Sequence, residues 1–188
     1  MSRENINTLK HWNDFFGSDQ FGRRRCWRTK PYKNIVKKLN FSQFENLTIY
    51  DIGCAFGDGL HLLQGVAPKN KYVGIDFSDV CIAYAQKKKN IKFEVGDIET
   101  INIKDADIII VSETLEHMDD DKAIVERLSR MCGMLIISVP YNENANKLHW
   151  EHVHSYTEKT FDKFNVDCIE RTFDLGRYLL VVYRMREL

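Results

Sequence analysis

No charge of one sign dominates this chain: its 188 residues carry 27 Lys and Arg against 27 Asp and Glu, a formal net charge of zero. A balanced chain has no global field to gather nucleic acid or an anionic membrane, so nucleic acid is not expected as a partner. The basic run Arg23-Arg24-Arg25-Cys26-Trp27-Arg28-Thr29-Lys30 is a local exception. Cysteine is sparse and scattered. Cys26, Cys54, Cys81, Cys132 and Cys168 form no C-x-x-C pair, which argues against both a disulfide framework and a zinc site. No apolar run approaches the ~18 residues of a membrane-crossing helix, and the polar start MSRENINTLKHWND does not read as a signal peptide. Membrane insertion is therefore not expected, and a cytoplasmic location is the default. Neither repeats nor a low-complexity linker divide the sequence, so residues 1–188 read as one domain.

What is present is a change of texture at residue 47. Residues 1–46 are polar, aromatic and basic, with helical stretches near 4–16 and 31–40, and form an expected N-terminal helical cap. Pro31 suits the first turn of the second stretch. From 47 to 188 short β-rich runs alternate with helical ones. Strands are predicted at Leu47–Gly53, Lys71–Asp76, Ile91–Val95, Ala106–Ser112 and Gly133–Pro140. Helices are predicted at Gly57–Gly65, after an N-cap at Ser78, and at Asp119–Met131, whose acidic first turn suits the helix dipole. A short helix near 157–164 precedes two strands, Val166–Phe173 and Tyr178–Met185, that read as an antiparallel hairpin. Strands separated by helices imply βαβ units. The fold class is thus α/β: a doubly wound, Rossmann-like, seven-stranded sheet, mostly parallel, with helices on both faces. Ligands of such sheets bind beyond the carboxyl ends of the strands. The chemically able residues all fall there.

After the first strand comes Asp51-Ile52-Gly53-Cys54-Ala55-Phe56-Gly57-Asp58-Gly59. Its glycines permit a sharp turn and a close approach to a ligand. A dinucleotide site would need G-x-G-x-x-G with pyrophosphate on the helix N-terminus. Counted from Gly53, the third position is Ala55 and the sixth is Asp58, whose charge would repel phosphate. A ligand bearing an ammonium and a sulfonium, by contrast, gains from Asp51 nearby. Asp76 ends the second strand, where a carboxylate can accept both hydroxyls of a ribose, and Phe77 can stack on an adenine edge. Gly96-Asp97-Ile98 follows the third strand. Ser112-Glu113-Thr114-Leu115-Glu116-His117 follows the fourth, and the segment Pro140–Thr157 holds His149, Glu151, His152 and His154.

The order D-I-G-C-A-F-G resembles motif I of class I methyltransferases that use S-adenosylmethionine (SAM), with Ala55 in place of the middle glycine. The resemblance runs from Leu47 to about Phe164. It implies that Asp51, Gly53, Cys54, Ala55 and Gly57 surround the methionine end of SAM. It further implies that Asp97 and Ile98 receive adenine, and that Ser112 and Glu113 border the cofactor. The L-E-H segment resembles the branch of ubiquinone-biosynthesis, natural-product and polysaccharide methyltransferases. In that branch His117 lies near the methyl group and a segment like that around His152 lines the acceptor pocket. These two histidines are the candidate catalytic residues, His117 as a base serving an oxygen acceptor. The implied partner is a small molecule or saccharide, and the product is S-adenosylhomocysteine.

Three alternatives stand beside this reading. Glu113, Glu116 and His117 resemble the E-x-x-E-H metal cluster of small-RNA 3′-end methyltransferases, although no metal is the primary expectation. The loops could serve a non-catalytic nucleotide-binding module, and Glu116 and His117 could simply orient their loop. Trp27, Arg28 and Tyr32 are candidates to close over the cofactor, with Arg28 pairing its carboxylate.

Overall fold

The computed structural model describes residues 5–18, 29–144, 147–162, 168–172 and 177–185. Five helices occur among them: α1 (Leu9–Gly17), α2 (Lys30–Leu39), α3 (Asp58–Val66), α4 (Asp79–Ala85) and α5 (Asp121–Ser129). The strands are β1 (Thr48–Ile52), β2 (Lys71–Asp76), β3 (Lys92–Val95), β4 (Ala106–Ser112), β5 (Cys132–Pro140), β6 (Cys168–Thr172) and β7 (Tyr178–Arg184). They form one sheet in the order β3-β2-β1-β4-β5-β7-β6. The first five strands run parallel, and β7 pairs antiparallel with both β5 and β6.

β4 and β5 show why the centre of the sheet reads as nearly unbroken apolar sequence. Ile109 and Val111 pack on one face with Leu135 and Ile137, while Ile108 and Ile110 pack on the other with Met134 and Ile136. Both faces are dry because helices cover both. α5 places Ile124, Val125 and Leu128 in the first layer, and α2, α3 and α4 place Ile35, Leu60, Leu63 and Ile82 in the second.

Helix ends differ from expectation where local chemistry intervenes. α1 begins at Leu9 rather than near residue 4, because Thr8 caps it, its hydroxyl accepting from the His11 N–H at 3.2 Å. Ser78 caps α4 as expected, accepting from the Cys81 N–H. α4 is only seven residues long and stops at Ala85, before the run Lys87-Lys88-Lys89. The expected short helix near 157–164 is a 3-10 turn, Glu158–Phe161. The expected link Asp174–Arg177 of the terminal hairpin lies largely outside the described residues.

Strand order reverses between β1 and β4, which are neighbours in the sheet though far apart in sequence. The loops leaving these two strands diverge and leave a crevice at their carboxyl ends.

Candidate active site

The crevice is a cavity of about 710 Å³, within the usual range for a bound organic ligand. Loops after β1, β2, β3 and β4 form its floor, and α1 crosses above with Trp12, Phe15 and Phe16 facing in. α1 is fastened at both ends. Asn13 bonds Asp79 and Ser78 on one side, while His11 Nε2 lies 3.0 Å from Glu151 Oε1 and the Trp12 ring sits edge-on to His117 on the other.

Of the expected cofactor residues, Gly53, Cys54, Ala55, Asp76, Phe77, Asp97, Ile98, Ser112 and Glu113 line the cavity, as do His117 and His152. Gly53 has φ +79°, and a Cβ there would collide with the Thr114 side chain. Ala55 also lies in the left-handed region, at φ +46°. Its departure from glycine therefore weighs on the backbone, not only on the loop's width. The Ala55 N–H donates to Asp76 Oδ2 at 2.8 Å and the Ser78 N–H donates to Oδ1 at 2.9 Å. The Asp76 carboxyl is pushed up by burial, against those two bonds. Each oxygen keeps a lone pair for a further donor.

Two expected positions fall elsewhere. Asp51 is fully buried behind the wall, because the Tyr32 hydroxyl bonds both its oxygens, at 3.0 and 2.8 Å, and the Tyr32 ring faces the cavity instead. Burial pushes the Asp51 carboxyl up to about 7; the Tyr32 hydroxyl opposes this and the nearby Asp76 adds to it. Gly57 does not border the cavity either. It turns the chain at φ +69° with its Cα against the Phe93 ring. Trp27 and Arg28 lie outside the described residues. Tyr32 does not close freely over the cavity but is held between Asp51 and Gly59, where a Cβ would strike its ring.

At the other end of the cavity the LEH segment forms a 3-10 turn, Leu115–His117. The His117 Nδ1 donates to the Glu151 carbonyl at 3.1 Å, which fixes the tautomer and leaves Nε2 as the lone-pair nitrogen. Burial pushes this imidazole down to about 3, with the Glu151 carbonyl opposing and His152, His149 and His11 adding to the shift. His152 Nδ1 lies 2.6 Å from Glu143 Oε2. His154 does not enter the cavity wall; its Nε2 donates to the Met118 carbonyl and so orients the loop. Glu113 accepts from the Ser138 hydroxyl, and burial raises it well above the usual carboxyl range. Burial raises Glu116 to about 8.

Sequence reasoning missed the Tyr32–Asp51 pair, Glu143, and the aromatic face of α1. Only the last had a local signal, Trp12, Phe15 and Phe16 at helical spacing.

The electrostatics of the wall bear directly on the ligand. Eight lining residues are acids and, among the described residues, none is Lys or Arg. Acidic side chains on the wall suit a ligand carrying an ammonium and a sulfonium. Among the described residues, the Ser112 hydroxyl, buried on the cavity floor, has no hydrogen-bond partner. The turn, the ribose-length carboxylate and this donor set fit SAM.

Comparison with known proteins points the same way. Malonyl-[acyl-carrier protein] O-methyltransferase of Bacillus anthracis is 27% identical over 145 residues, 68% of this chain and 54% of that protein. Demethylmenaquinone methyltransferase of Lactococcus lactis is 24% identical over 161 residues, 76% of this chain and 62% of that protein. The chain thus spans about half to three-fifths of the length of these curated relatives. Magnesium protoporphyrin IX methyltransferase from Synechocystis, solved with bound SAM, superposes with a TM-score of 0.73 at 15% identity, covering 98% of this chain and all of that one. Residues 43–175 match the family described as a methyltransferase domain, so the chain belongs to that family, in the class I group whose methyl donor is SAM.

Proposed function

We propose that this protein transfers the methyl group of SAM to an oxygen of a small-molecule or saccharide acceptor. The observation that carries the reading is one acid-lined cavity whose far end presents two histidine nitrogens, Nε2 of His117 and of His152, left over by their Nδ1 bonds. When bound, SAM supplies a methyl on a positively charged sulfur that keeps the bonding pair when the methyl leaves.

The chain's own residues divide the remaining work. Asp76 takes the ribose hydroxyls, Phe77, Asp97 and Ile98 bound the adenine, and the Gly53–Ala55 turn and Ser112 take the methionine end. Asp51 acts through Tyr32 rather than by direct contact. Glu113 borders the sulfonium. The acceptor oxygen forms the new bond to carbon and its proton passes to a histidine Nε2. His117 has a lowered basicity, so the His152–Glu143 pair is the better proton acceptor: the carboxylate stabilises the imidazolium that forms. α1 caps the cavity and offers aromatic faces to an acceptor with an apolar side, which suits both a natural-product scaffold and the C–H face of a sugar. The acid-lined wall disfavours a phosphodiester and therefore RNA. The matched relatives include an enzyme named as an O-methyltransferase, which agrees with an oxygen acceptor.

Calorimetric titration with SAM, S-adenosylhomocysteine and NAD tests the cofactor side. SAM and S-adenosylhomocysteine bind and NAD does not; NAD binding without a SAM signal overturns the proposal. Asp76→Ala weakens SAM binding at least about tenfold, since it removes a charge-assisted acceptor of two hydroxyls. A screen of hydroxyl, carboxyl and amine acceptors, read by S-adenosylhomocysteine release, tests the acceptor side. Turnover confined to amines refutes the assignment to oxygen.

A further inference from the structure

The acceptor end of the cavity holds more acid than the methyl donor and the proton path use. Glu113, Glu116, Asp119 and Glu151 line it, and Glu143 stands behind His152. Three of these carboxyl groups have partners: Glu113 the Ser138 hydroxyl, Glu143 the His152 ring and Glu151 the His11 ring. Glu116 differs. It borders the cavity and is 1% exposed, yet among the described residues its Oε2 has no hydrogen-bond partner. In either protonation state a buried polar atom is left bare, which is costly. A donor on the ligand removes that cost.

We propose that Glu116 holds a primary ammonium of the acceptor, and that the acceptor is an amino alcohol with its amine on the carbon beside the methylated hydroxyl. Three observations favour this ligand over a neutral one. First, Glu113 and Glu143 lie close enough to Glu116 to crowd one another with like charge, and no Lys or Arg among the described residues lines the cavity to offset it. A cation relieves that crowding, and a neutral hydroxyl does not. Second, Trp12 lines the same end, its ring centroid 4.9 Å from that of His117. Aromatic surface beside a carboxylate suits a cation with an apolar stem. Third, a carboxylate so deeply buried is reached by a small head such as a primary ammonium and not by a bulky quaternary one.

The spacing supplies the rest. A carboxylate oxygen of Glu116 and a ring nitrogen of His152 lie within 4.8 Å of each other. Staggered substituents on neighbouring carbons stand about 3 Å apart. Hydrogen bonds of about 2.8 Å therefore let the amine reach Glu116 while the hydroxyl reaches His152. The held ammonium has its lone pair tied up in an N–H bond and cannot attack a methyl group. The neighbouring hydroxyl attacks instead: its oxygen bonds the methyl carbon, the C–S bond breaks with its pair left on sulfur, and the hydroxyl proton passes to His152 Nε2. The adjacent positive charge also makes that hydroxyl more acidic. This step rests on the methyl-transfer reading; the ammonium subsite does not.

The test uses the full chain, with and without S-adenosylhomocysteine, and with EDTA throughout so that no metal ion bridges probe and protein. Calorimetric titration compares ethanolamine with ethylene glycol, and glucosamine with glucose. In at least one pair the amine binds at least about tenfold more tightly than its hydroxyl counterpart. Choline, with the same charge on a larger head, loses the advantage over ethylene glycol. Glu116→Gln keeps the side chain's shape and erases the preference for the amine. The readout is a ratio within one protein, so a partial loss of folding lowers both probes alike and leaves it intact. Equal or tighter binding of both hydroxyl counterparts overturns the proposal, as does failure of both amines to bind at millimolar concentration, or a preference that survives Glu116→Gln. With SAM present, mass spectrometry finds the new methyl on oxygen; a methyl on nitrogen overturns both this proposal and the proposed function. A preference for the amine without binding of SAM leaves the subsite standing and refutes the proposed function. Methylation of neutral hydroxyl acceptors with no preference for the amine refutes only the subsite.

Discussion

Asp51, near the end of β1, and Ala55, in the loop that follows, carry opposite lessons about strain and charge. Ala55 sits at φ +46°, where an L-residue loses about 1 kcal/mol and glycine loses nothing. Ala55→Gly therefore stabilises the protein by up to about 1 kcal/mol, less the entropy glycine adds to the unfolded chain, and melting by circular dichroism checks it. Asp51 stores charge rather than strain. Its carboxyl lies near 7 in the folded protein against an ordinary 3.8. Between those values the folded state holds a proton that the unfolded state has released. The contribution of Asp51 is thus full below about pH 4 and is lost as pH rises toward 7, at no more than about 1.4 kcal/mol per unit. Asp51→Asn keeps an acceptor for Tyr32 and abolishes this titration. Its stability relative to the unaltered protein rises from pH 5 to pH 7 and then levels. A constant difference over that range shows that Asp51 is not held protonated.

At the scale of elements, α1 stands apart from the rest of the fold. It has no buried residue, whereas α2, α3, α4 and α5 each contribute several to the two core layers. α1 is held by its Thr8 cap, the bonds of Asn13 to Ser78 and Asp79, the His11–Glu151 contact, and ring contacts of Trp12 with His117 and of Phe16 with Phe56. Each such bond contributes about 0.5–1.5 kcal/mol, so the helix opens without unfolding the sheet. Asn13→Ala removes both contacts with the α4 cap. Amide exchange in α1 then accelerates about tenfold or more, while β4 and β5 keep their protection. Exchange that rises equally in the sheet shows that α1 is part of the cooperative core. α1 also shows what sequence conveys and what it does not. Its helical period and aromatic stripe were visible, but the partner of that stripe was a cavity whose lining reaches from Trp12 to His152, 140 positions away.

The molecule as a whole repeats that division. Strands β1 to β5, the hairpin and the covering helices were readable because burial on one or both faces imposes a local apolar pattern. Positions at strand ends, among them Asp76, Asp97 and His117, were readable because an α/β sheet puts its ligand there. Long-range pairings had no local period to reveal them: Tyr32 on Asp51, Glu143 on His152, and His117 on the Glu151 carbonyl. Those pairings turn separate loops into one site, so a ligand should be felt wherever they converge. At a hundredfold excess over its dissociation constant, S-adenosylhomocysteine stabilises the protein by about 2.7 kcal/mol through binding alone. The protection it brings is uneven. Amides of α1 and of the loops after β1 to β4 slow in exchange, since they border the cavity, whereas β6 and β7 lie at the far edge of the sheet and gain only what global stability confers. Slowing confined to the floor loops, with α1 unchanged, shows that α1 is no roof over the cofactor and assigns its aromatic face to the acceptor alone.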